Sequence, residues 1–117
     1  MQDFRNLKVW QKAHEFVLAI YPATGDFPQH ELFGLRTQLR RSSVAIPSHI
    51  AEGCGLSSDT EFARCIYKSI ASTSEVEYLI LLAKDLVVIN QDKYTKLAND
   101  VIELKRMLSG LLGSLSR

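Results

Sequence analysis

Residues 31–53 read Glu-Leu-Phe-Gly-Leu-Arg-Thr-Gln-Leu-Arg-Arg-Ser-Ser-Val-Ala-Ile-Pro-Ser-His-Ile-Ala-Glu-Gly. Five apolar residues in this stretch recur at spacings of three, four and seven, which places them in one narrow sector of an α-helix: Leu32, Leu35, Leu39, Ile46 and Ile50. A second, weaker apolar line lies roughly opposite, at Phe33, Val44 and Ala51. Since one core covers only one face of a helix, the second line predicts contact with something outside that core.

The same stretch contains a proline in the middle of its predicted helix. Pro47 has no backbone N–H, so we expect a bend at this point and not a break, with Ser43 well placed to supply a compensating hydroxyl. Gly53-Cys54-Gly55 then predicts the end of the helix and a turn. Ser58-Asp59-Thr60-Glu61 has the pattern of a capping box, which predicts the start of the next helix.

Three further segments have the periodicity of amphipathic helices, at about residues 6–23, 59–88 and 91–114, in addition to about 30–53. The predicted apolar face of the first segment consists of Leu7, Trp10, Ala13, Val17, Ile20 and Tyr21. That of the segment at 59–88 consists of Phe62, Ile66, Ser69, Thr73, Val76, Ile80, Ala83 and Val87. The last segment follows the predicted N-cap Asn90, and its apolar face consists of Tyr94, Leu97, Val101, Leu104, Leu108, Leu111 and Leu115. Because the connections are short, we predict an all-α fold, an antiparallel up-down-up-down four-helix bundle that forms a single domain over residues 1–117.

Composition places the chain among ordinary globular proteins. It has 117 residues, of which 46% are hydrophobic and 23% charged, and its formal net charge is +1. That charge neither requires nor excludes a polyanionic partner. With two cysteines, no N-terminal signal pattern and no apolar run long enough to cross a bilayer, we expect a cytoplasmic protein that does not enter membranes.

The residues that could carry catalysis do not form a recognisable pattern. A di-iron site in a four-helix bundle needs Glu-x-x-His motifs, and the residue three positions after each of seven glutamates is never histidine. His14, His30 and His49 come from separate segments, and no phosphate-binding glycine loop or nucleophile elbow is present. We therefore expect no metal, no cofactor and no enzymatic activity.

Glu77 is the unusual acid, because it borders the apolar stripe of the third helix. An unpaired charge in that position is costly, so we expect an ion pair with Arg36, Arg40 or Arg41. A catalytic acid is the alternative interpretation.

Two basic stripes are candidates for contact with phosphates. Arg5, Lys8 and Lys12 line one side of the first helix, and Arg36, Arg40 and Arg41 lie in a part of the second helix that contains no acid. Such stripes are most often simply the solvent-exposed face of a helix. No interleaved aromatic residues and no known nucleic-acid-binding motif give the nucleic-acid hypothesis further support.

Four patterns together resemble a known family. They are Phe-x-x-Leu-x-x-Trp-x-x-Ala at 4–13, Phe-Pro-x-x-Glu-Leu-Phe-Gly-Leu at 27–35, Gln-Leu-Arg-Arg-Ser-Ser-x-x-Ile-Pro-x-x-Ile-Ala-Glu-Gly at 38–53, and Glu-Phe at 61–62. Nearly the whole chain resembles the bacterial four-helix bundle proteins that are encoded in intervening sequences of 23S ribosomal RNA genes. Departures from the family pattern occur at His49, Leu56, Cys65, Lys68 and Ala71. An arginine is common where Leu56 stands, and its loss weakens any RNA site carried over by resemblance.

The resemblance implies a non-enzymatic bundle that assembles as an oligomeric ring, commonly a homopentamer. Relatives include the accessory factor of diversity-generating retroelements, which works beside a reverse transcriptase. The expected partners are therefore other copies of this chain, RNA or DNA, and a reverse transcriptase or another protein. We assign the contacts between subunits to Phe33, Val44, Ala51, Tyr67, Tyr78 and Leu81. Two functional hypotheses remain, weak nucleic-acid binding through the basic stripes and a pure protein-interaction scaffold.

Overall fold

The computed structural model describes residues 2–31 and 34–115. Its helices are α1 (Lys8–Gly25), α2 (Leu35–Cys54), α3 (Asp59–Asp85) and α4 (Gln91–Leu115), with short 3-10 turns at Phe4–Asn6 and Gln29–Glu31. The described residues contain no strand. The chain is therefore all-α, with four helices, as expected for a four-helix bundle. None of the described helices is both long enough and apolar enough to span a bilayer.

The core is built from the apolar stripes of all four helices. Its largest side chains that are almost fully buried include Phe16, Ile20, Leu39, Ile46, Ile50, Ile66, Val76, Ile80, Val101, Leu104 and Leu108. On α1 the buried line is Val9, Ala13, Phe16, Ile20 and Thr24. The observed buried face of α1 is therefore offset by about one residue from the predicted apolar face. Tyr21, a member of the predicted face, is exposed. Aliphatic side chains from every helix meet in one cluster, so burial of this seam provides the main driving force for folding.

The predicted helix caps of α3 and α4 are both present. The Ser58 hydroxyl accepts a hydrogen bond from the backbone N–H of Glu61 over 3.1 Å. The Asn90 side chain accepts from the backbone N–H of Lys93 over 2.8 Å. Each cap satisfies a donor that has no partner within its own helix.

Small side chains bring α2 and α3 into close contact. Gly53 lies so close to α3 that a Cβ atom placed on it would be 2.9 Å from the Cys65 Cβ and 3.0 Å from the Phe62 Cδ1. Further along, the Ser69 hydroxyl donates to the backbone carbonyl of Ile46 over 2.9 Å. The helix continues through Pro47, so the prediction that proline does not break it is confirmed. The expected role of Ser43 is wrong, because its buried Oγ has no hydrogen-bond partner among the described residues.

Two predicted helix boundaries differ from the structure by three residues or more. The second helix begins at Leu35 and not near residue 30, since Gln29–Glu31 forms a 3-10 turn. The predicted core residue Leu32 and interface residue Phe33 lie outside the described residues. The third helix ends at Asp85, so Val87 does not continue its core stripe and is 84% exposed. The periodicity of apolar residues does not predict this helix end, because Val87 has the spacing of a core residue although it terminates the helix.

Val87 closes α3 in a conformation that costs energy for a β-branched residue. Its φ is 62°, in the left-handed region. The backbone N–H groups of Val87 and Val88 donate to the carbonyls of Lys84 (2.9 Å) and Ala83 (3.0 Å), which is the hydrogen-bond pattern of a Schellman motif. This motif usually has glycine at the left-handed position, because glycine has no Cβ to clash there.

We predict that Val87→Gly raises the free energy of unfolding by about 1 kcal/mol, since it relieves the left-handed strain of a β-branched residue. Urea denaturation measures this change. Val88→Gly is the matched control: Val88 has no positive φ and is half-buried, so its replacement is expected to destabilise the protein. A Val87→Gly protein that is less stable than the unaltered chain would contradict this account.

We also predict that Gly53→Ala lowers the free energy of unfolding by about 1 to 3 kcal/mol, because its methyl group would overpack the contact with Cys65 and Phe62. Gly110→Ala in α4 is the control, since nothing lies within 4 Å of the added carbon. That control is expected to gain up to about 1 kcal/mol from helix propensity. Equal effects of the two substitutions in thermal or urea unfolding would show that α2 and α3 are not closely packed at Gly53.

Candidate interaction surfaces

The basic residues at the start of the chain are only partly available to an external partner. The Arg5 Nε lies 3.0 Å from the Asp3 Oδ1, and its guanidinium lies over the Phe4 ring. Asp3 also accepts a hydrogen bond from the Arg5 backbone, and this bond, with the contact to the guanidinium, lowers the pKa of the Asp3 carboxyl. The Lys12 Nζ lies 3.6 Å from the Asp100 Oδ1 on α4. Lys8 is exposed and has no ion pair among the described residues.

Arg40 connects α2 to the end of α1. Its Nε donates to the Thr24 Oγ1 over 2.8 Å, and its Nη2 donates to the backbone carbonyl of Tyr21 over 2.9 Å. The guanidinium also lies over the Tyr21 ring, 4.5 Å from the ring centroid. A cation at this end of α1 is favourable because the last carbonyls of a helix carry partial negative charge. Arg40 therefore holds two helices together.

The two basic stripes do not form one continuous patch. Arg40 contacts α1 at Tyr21 and Thr24, while Lys8 begins that helix. Sixteen residues separate Lys8 from Thr24, which corresponds to about 24 Å along the helix. Arg36 is half-buried and Arg41 is exposed, and neither has an ion pair among the described residues. The cations of the two stripes with no described partner are thus Lys8 on α1 and Arg36 and Arg41 on α2.

The predicted partner of Glu77 is wrong. The Glu77 Oε1 accepts a hydrogen bond from the Lys105 Nζ of α4 over 2.8 Å, and not from Arg36, Arg40 or Arg41. Nearly half of the Glu77 side chain is exposed, so the pair is screened by solvent and contributes only about 0 to 1 kcal/mol. The desolvation cost that motivated the expectation of a buried pair is accordingly small.

An apolar groove runs between α1 and α2, and we call it the α1–α2 groove. Its volume is about 350 Å³, and its walls are Phe4, Trp10, His14 and Val17 on one side and Val44, Pro47, Ser48 and Ala51 on the other. The Trp10 and His14 rings stack with centroids 5.0 Å apart, and the Phe4 ring lies 4.8 Å from Trp10. Val44 and Ala51, predicted as an outward apolar line, lie together here. Their pairing with aromatic rings from α1 was missed, since sequence reasoning placed Trp10 in the core.

The other predicted interface residues lie on a second surface. Tyr67 is 64% exposed, Tyr78 59% and Leu81 38%. With the exposed small residues Ala71 and Ser74 between them, they follow one another at spacings of four, three, four and three along α3. This spacing places all five on one face, which we call the α3 outer stripe. It is the pattern of a helix that packs against a second helix.

The remaining titratable groups are spread over several elements. The His49 Nδ1 lies 3.2 Å from the Glu52 Oε1. This hydrogen bond, together with the nearby charge of Lys68, lowers the pKa of the Glu52 carboxyl. Cys54 and Cys65 are free and buried, and burial raises the pKa of the Cys54 thiol. Within residues 2–31 and 34–115, no group of three His, Cys, Asp or Glu side chains is arranged to hold a metal ion.

Comparison with protein families finds a match over residues 5–110 to the 23S rRNA-intervening sequence protein. The chain belongs to this family. A crystal structure from Bacteroides thetaiotaomicron, described as a protein of unknown function from the S23 ribosomal protein family, has a similar fold with a TM-score of 0.83. The alignment covers 90% of this chain and 95% of that chain at 23% identity, so it supports the fold alone. The comparison with curated proteins found no match.

We predict that Arg40→Ala lowers the free energy of unfolding of this family member by about 1 to 2 kcal/mol, because it removes two hydrogen bonds from a charged donor to α1. Arg41→Ala is the control. Arg41 is exposed and has no described ion pair, so its loss is expected to change stability by less than about 0.5 kcal/mol. Chemical denaturation of both variants measures the difference. If Arg40→Ala is as stable as Arg41→Ala, the link between α1 and α2 contributes nothing.

Proposed function

We propose that this chain is a non-enzymatic four-helix bundle protein that assembles with copies of itself into a ring, a homopentamer by family resemblance. The observation that carries the proposal is the pair of exposed apolar surfaces, the α1–α2 groove and the α3 outer stripe. Exposed apolar surfaces of this kind often mark sites of contact with another protein. We place the protein in the cytoplasm, and its two free cysteines support this location.

An antiparallel up-down-up-down order of the helices is part of the proposal. It is supported by contacts between the end of one helix and the start of the next. Gly53, near the end of α2, lies beside Phe62, near the start of α3. Lys84, near the end of α3, lies over the Tyr94 ring, near the start of α4. Short connections favour this order in bundles.

We further propose that the assembly binds RNA or DNA weakly through Lys8, Arg36 and Arg41. These side chains have no carboxylate partner among the described residues and can therefore reach phosphates. Three cations per chain give little affinity alone, but a ring repeats them and multiplies a modest local charge. Such binding weakens steeply as salt concentration rises, because it depends on the release of counterions.

A protein-interaction scaffold is the second candidate function, as an accessory subunit of a reverse transcriptase or of another protein. It is favoured by a specific observation: Arg5, Lys12 and Arg40, half of the predicted phosphate-binding residues, already have partners within the chain. In this case a protein partner would remain bound after nuclease treatment.

Self-association is tested by light scattering across a range of protein concentrations. We expect a mass several times that of the 13.2 kDa chain. A stable 13.2 kDa species at every concentration would refute the assembly.

Nucleic-acid binding is tested with Arg36→Ala and Arg41→Ala combined, which leaves the structural residue Arg40 in place. We expect weaker binding of a short RNA in a filter assay, and a salt slope reduced by about 1 for each phosphate that the protein no longer neutralises. The control combines Lys93→Ala and Arg106→Ala on α4, which removes the same charge elsewhere. An equal decrease in affinity for both double variants, or no binding by the unaltered protein at low salt, would contradict the proposed site.

A further inference from the structure

We propose that the α1–α2 groove takes unpaired bases of a single-stranded nucleic acid, while the arginines at one end of the groove contact its phosphates. This inference rests on the proposed nucleic-acid binding. It adds that the ligand is single-stranded and that its bases, as well as its phosphates, contact the protein. The α3 outer stripe is on another helix and remains available for contact between copies.

Aromatic rings line the α1 wall of the groove. Trp10, His14, Val17 and Tyr21 follow one another at spacings of four, three and four, so they share one face of the helix. The planes of the Trp10 and His14 rings are within 9° of parallel. His14 is exposed, and Tyr21 is 43% exposed. A base can extend such a stack, because every base has a π-face.

The α2 wall follows the same spacing and brings a guanidinium to one end of the groove. Arg40, Val44, Pro47 and Ala51 are separated by four, three and four residues. The Arg40 guanidinium lies over the Tyr21 ring and thus joins the two walls. Guanidinium planes as well as aromatic rings are surfaces on which unpaired bases stack.

The arginine end of the groove has the charge that a polyanion requires. Arg36 precedes Arg40 by one helical turn, and Arg41 precedes Val44 by three residues. Neither Arg36 nor Arg41 has an ion pair among the described residues, and residues 35–51 of α2 contain no acid. Phosphates that follow a base in the groove can therefore approach these two side chains.

The acids near the groove lie away from this end, or already have partners. Asp3 and Glu52 are at the other end, where Asp3 is paired with Arg5 and Glu52 with His49. Glu15 is the single acid of α1, and it lines a cavity between α1 and α4 instead. Within α1 and α2, no carboxylate therefore opposes a phosphate at the arginine end.

The groove also has the size and the polar groups of a site for bases. Its volume of about 350 Å³ is within the range of small-ligand pockets. The Ser48 hydroxyl and the His14 imidazole are both in its walls and can form hydrogen bonds with the edge of a base. A duplex keeps its bases stacked inside the helix, so the groove is expected to select single strands.

The test uses the fluorescence of Trp10, the only tryptophan of the chain, which lies in the groove. A short single-stranded RNA is titrated into the unaltered protein at low salt. The comparisons are the same RNA paired with its complement, and inorganic polyphosphate, an anion without bases. We expect the single strand to quench the Trp10 emission and to bind about fivefold more tightly than the duplex, whereas polyphosphate leaves the emission unchanged.

His14→Ala tests the stacking surface without removing an arginine. We expect it to weaken binding of the single strand in a filter assay by about fivefold or more, and to leave the binding of polyphosphate unchanged. The matched control is His30→Ala, because His30 is also exposed but lies in the turn Gln29–Glu31, outside the groove. Circular dichroism confirms the helical content. Should His14→Ala lose it, Ser48→Glu replaces this variant, since a carboxylate in the groove would repel the ligand.

Failure of this inference is distinguishable from failure of the proposed function. If the unaltered protein binds no RNA at low salt, nucleic-acid binding is refuted and base binding with it. If RNA binds but the Trp10 emission does not change, or if single strand and duplex bind equally, only base binding in the groove is refuted. Equal effects of the two histidine substitutions would refute it too. An unchanged emission is also the result expected if another protein chain fills the groove.

Discussion

The close contact between α2 and α3 is the constraint on which the other features of the molecule depend. Gly53 allows the two backbones to approach, and the buried hydroxyl residues Ser42 and Ser69 continue the contact with hydrogen bonds to the other helix. Because both helices turn small side chains toward each other, larger apolar residues elsewhere on them must face either the common core or the outside. Val44 and Ala51 on α2, and Tyr67, Tyr78 and Leu81 on α3, belong to the outside group.

Buried hydroxyl groups make α2 and α3 polar in places, and most of these groups have partners. Thr73 donates to the carbonyl of Ser69 on its own helix, and Ser69 donates across to Ile46. Ser42 donates to the carboxylate of Glu75, a charge-assisted hydrogen bond at the edge of the contact. Ser43 is the exception, and a buried hydroxyl with no partner costs about 1 to 3 kcal/mol. The small residues of these helices thus include one, Ser43, whose burial has an energetic cost.

Sequence reasoning located what depends on neighbours within one helix, and it missed what depends on how the helices are rotated against each other. The caps at Ser58 and Asn90 and the stripe of α4 follow from local spacing, and the structure contains them. The Lys105 partner of Glu77 is 28 residues away along the chain, so no local pattern could identify it. The α1–α2 groove could not be predicted for a similar reason. The spacing of Trp10 fits a core residue, and only the rotation of α1 in the structure shows that Trp10 lines the groove.

Assembly and charge are connected in the proposed function, because the chain is almost neutral. Its formal charge is +1, and Arg5, Lys12 and Arg40 already have partners within the chain. Of the two basic stripes, only Lys8, Arg36 and Arg41 have no described partner, so the proposed binding of a polyanion needs these cations to be repeated. A ring of identical copies would repeat Lys8, Arg36 and Arg41 at regular intervals. Nucleic-acid binding would then depend on assembly, whereas a protein scaffold would need only the surfaces that the ring leaves uncovered.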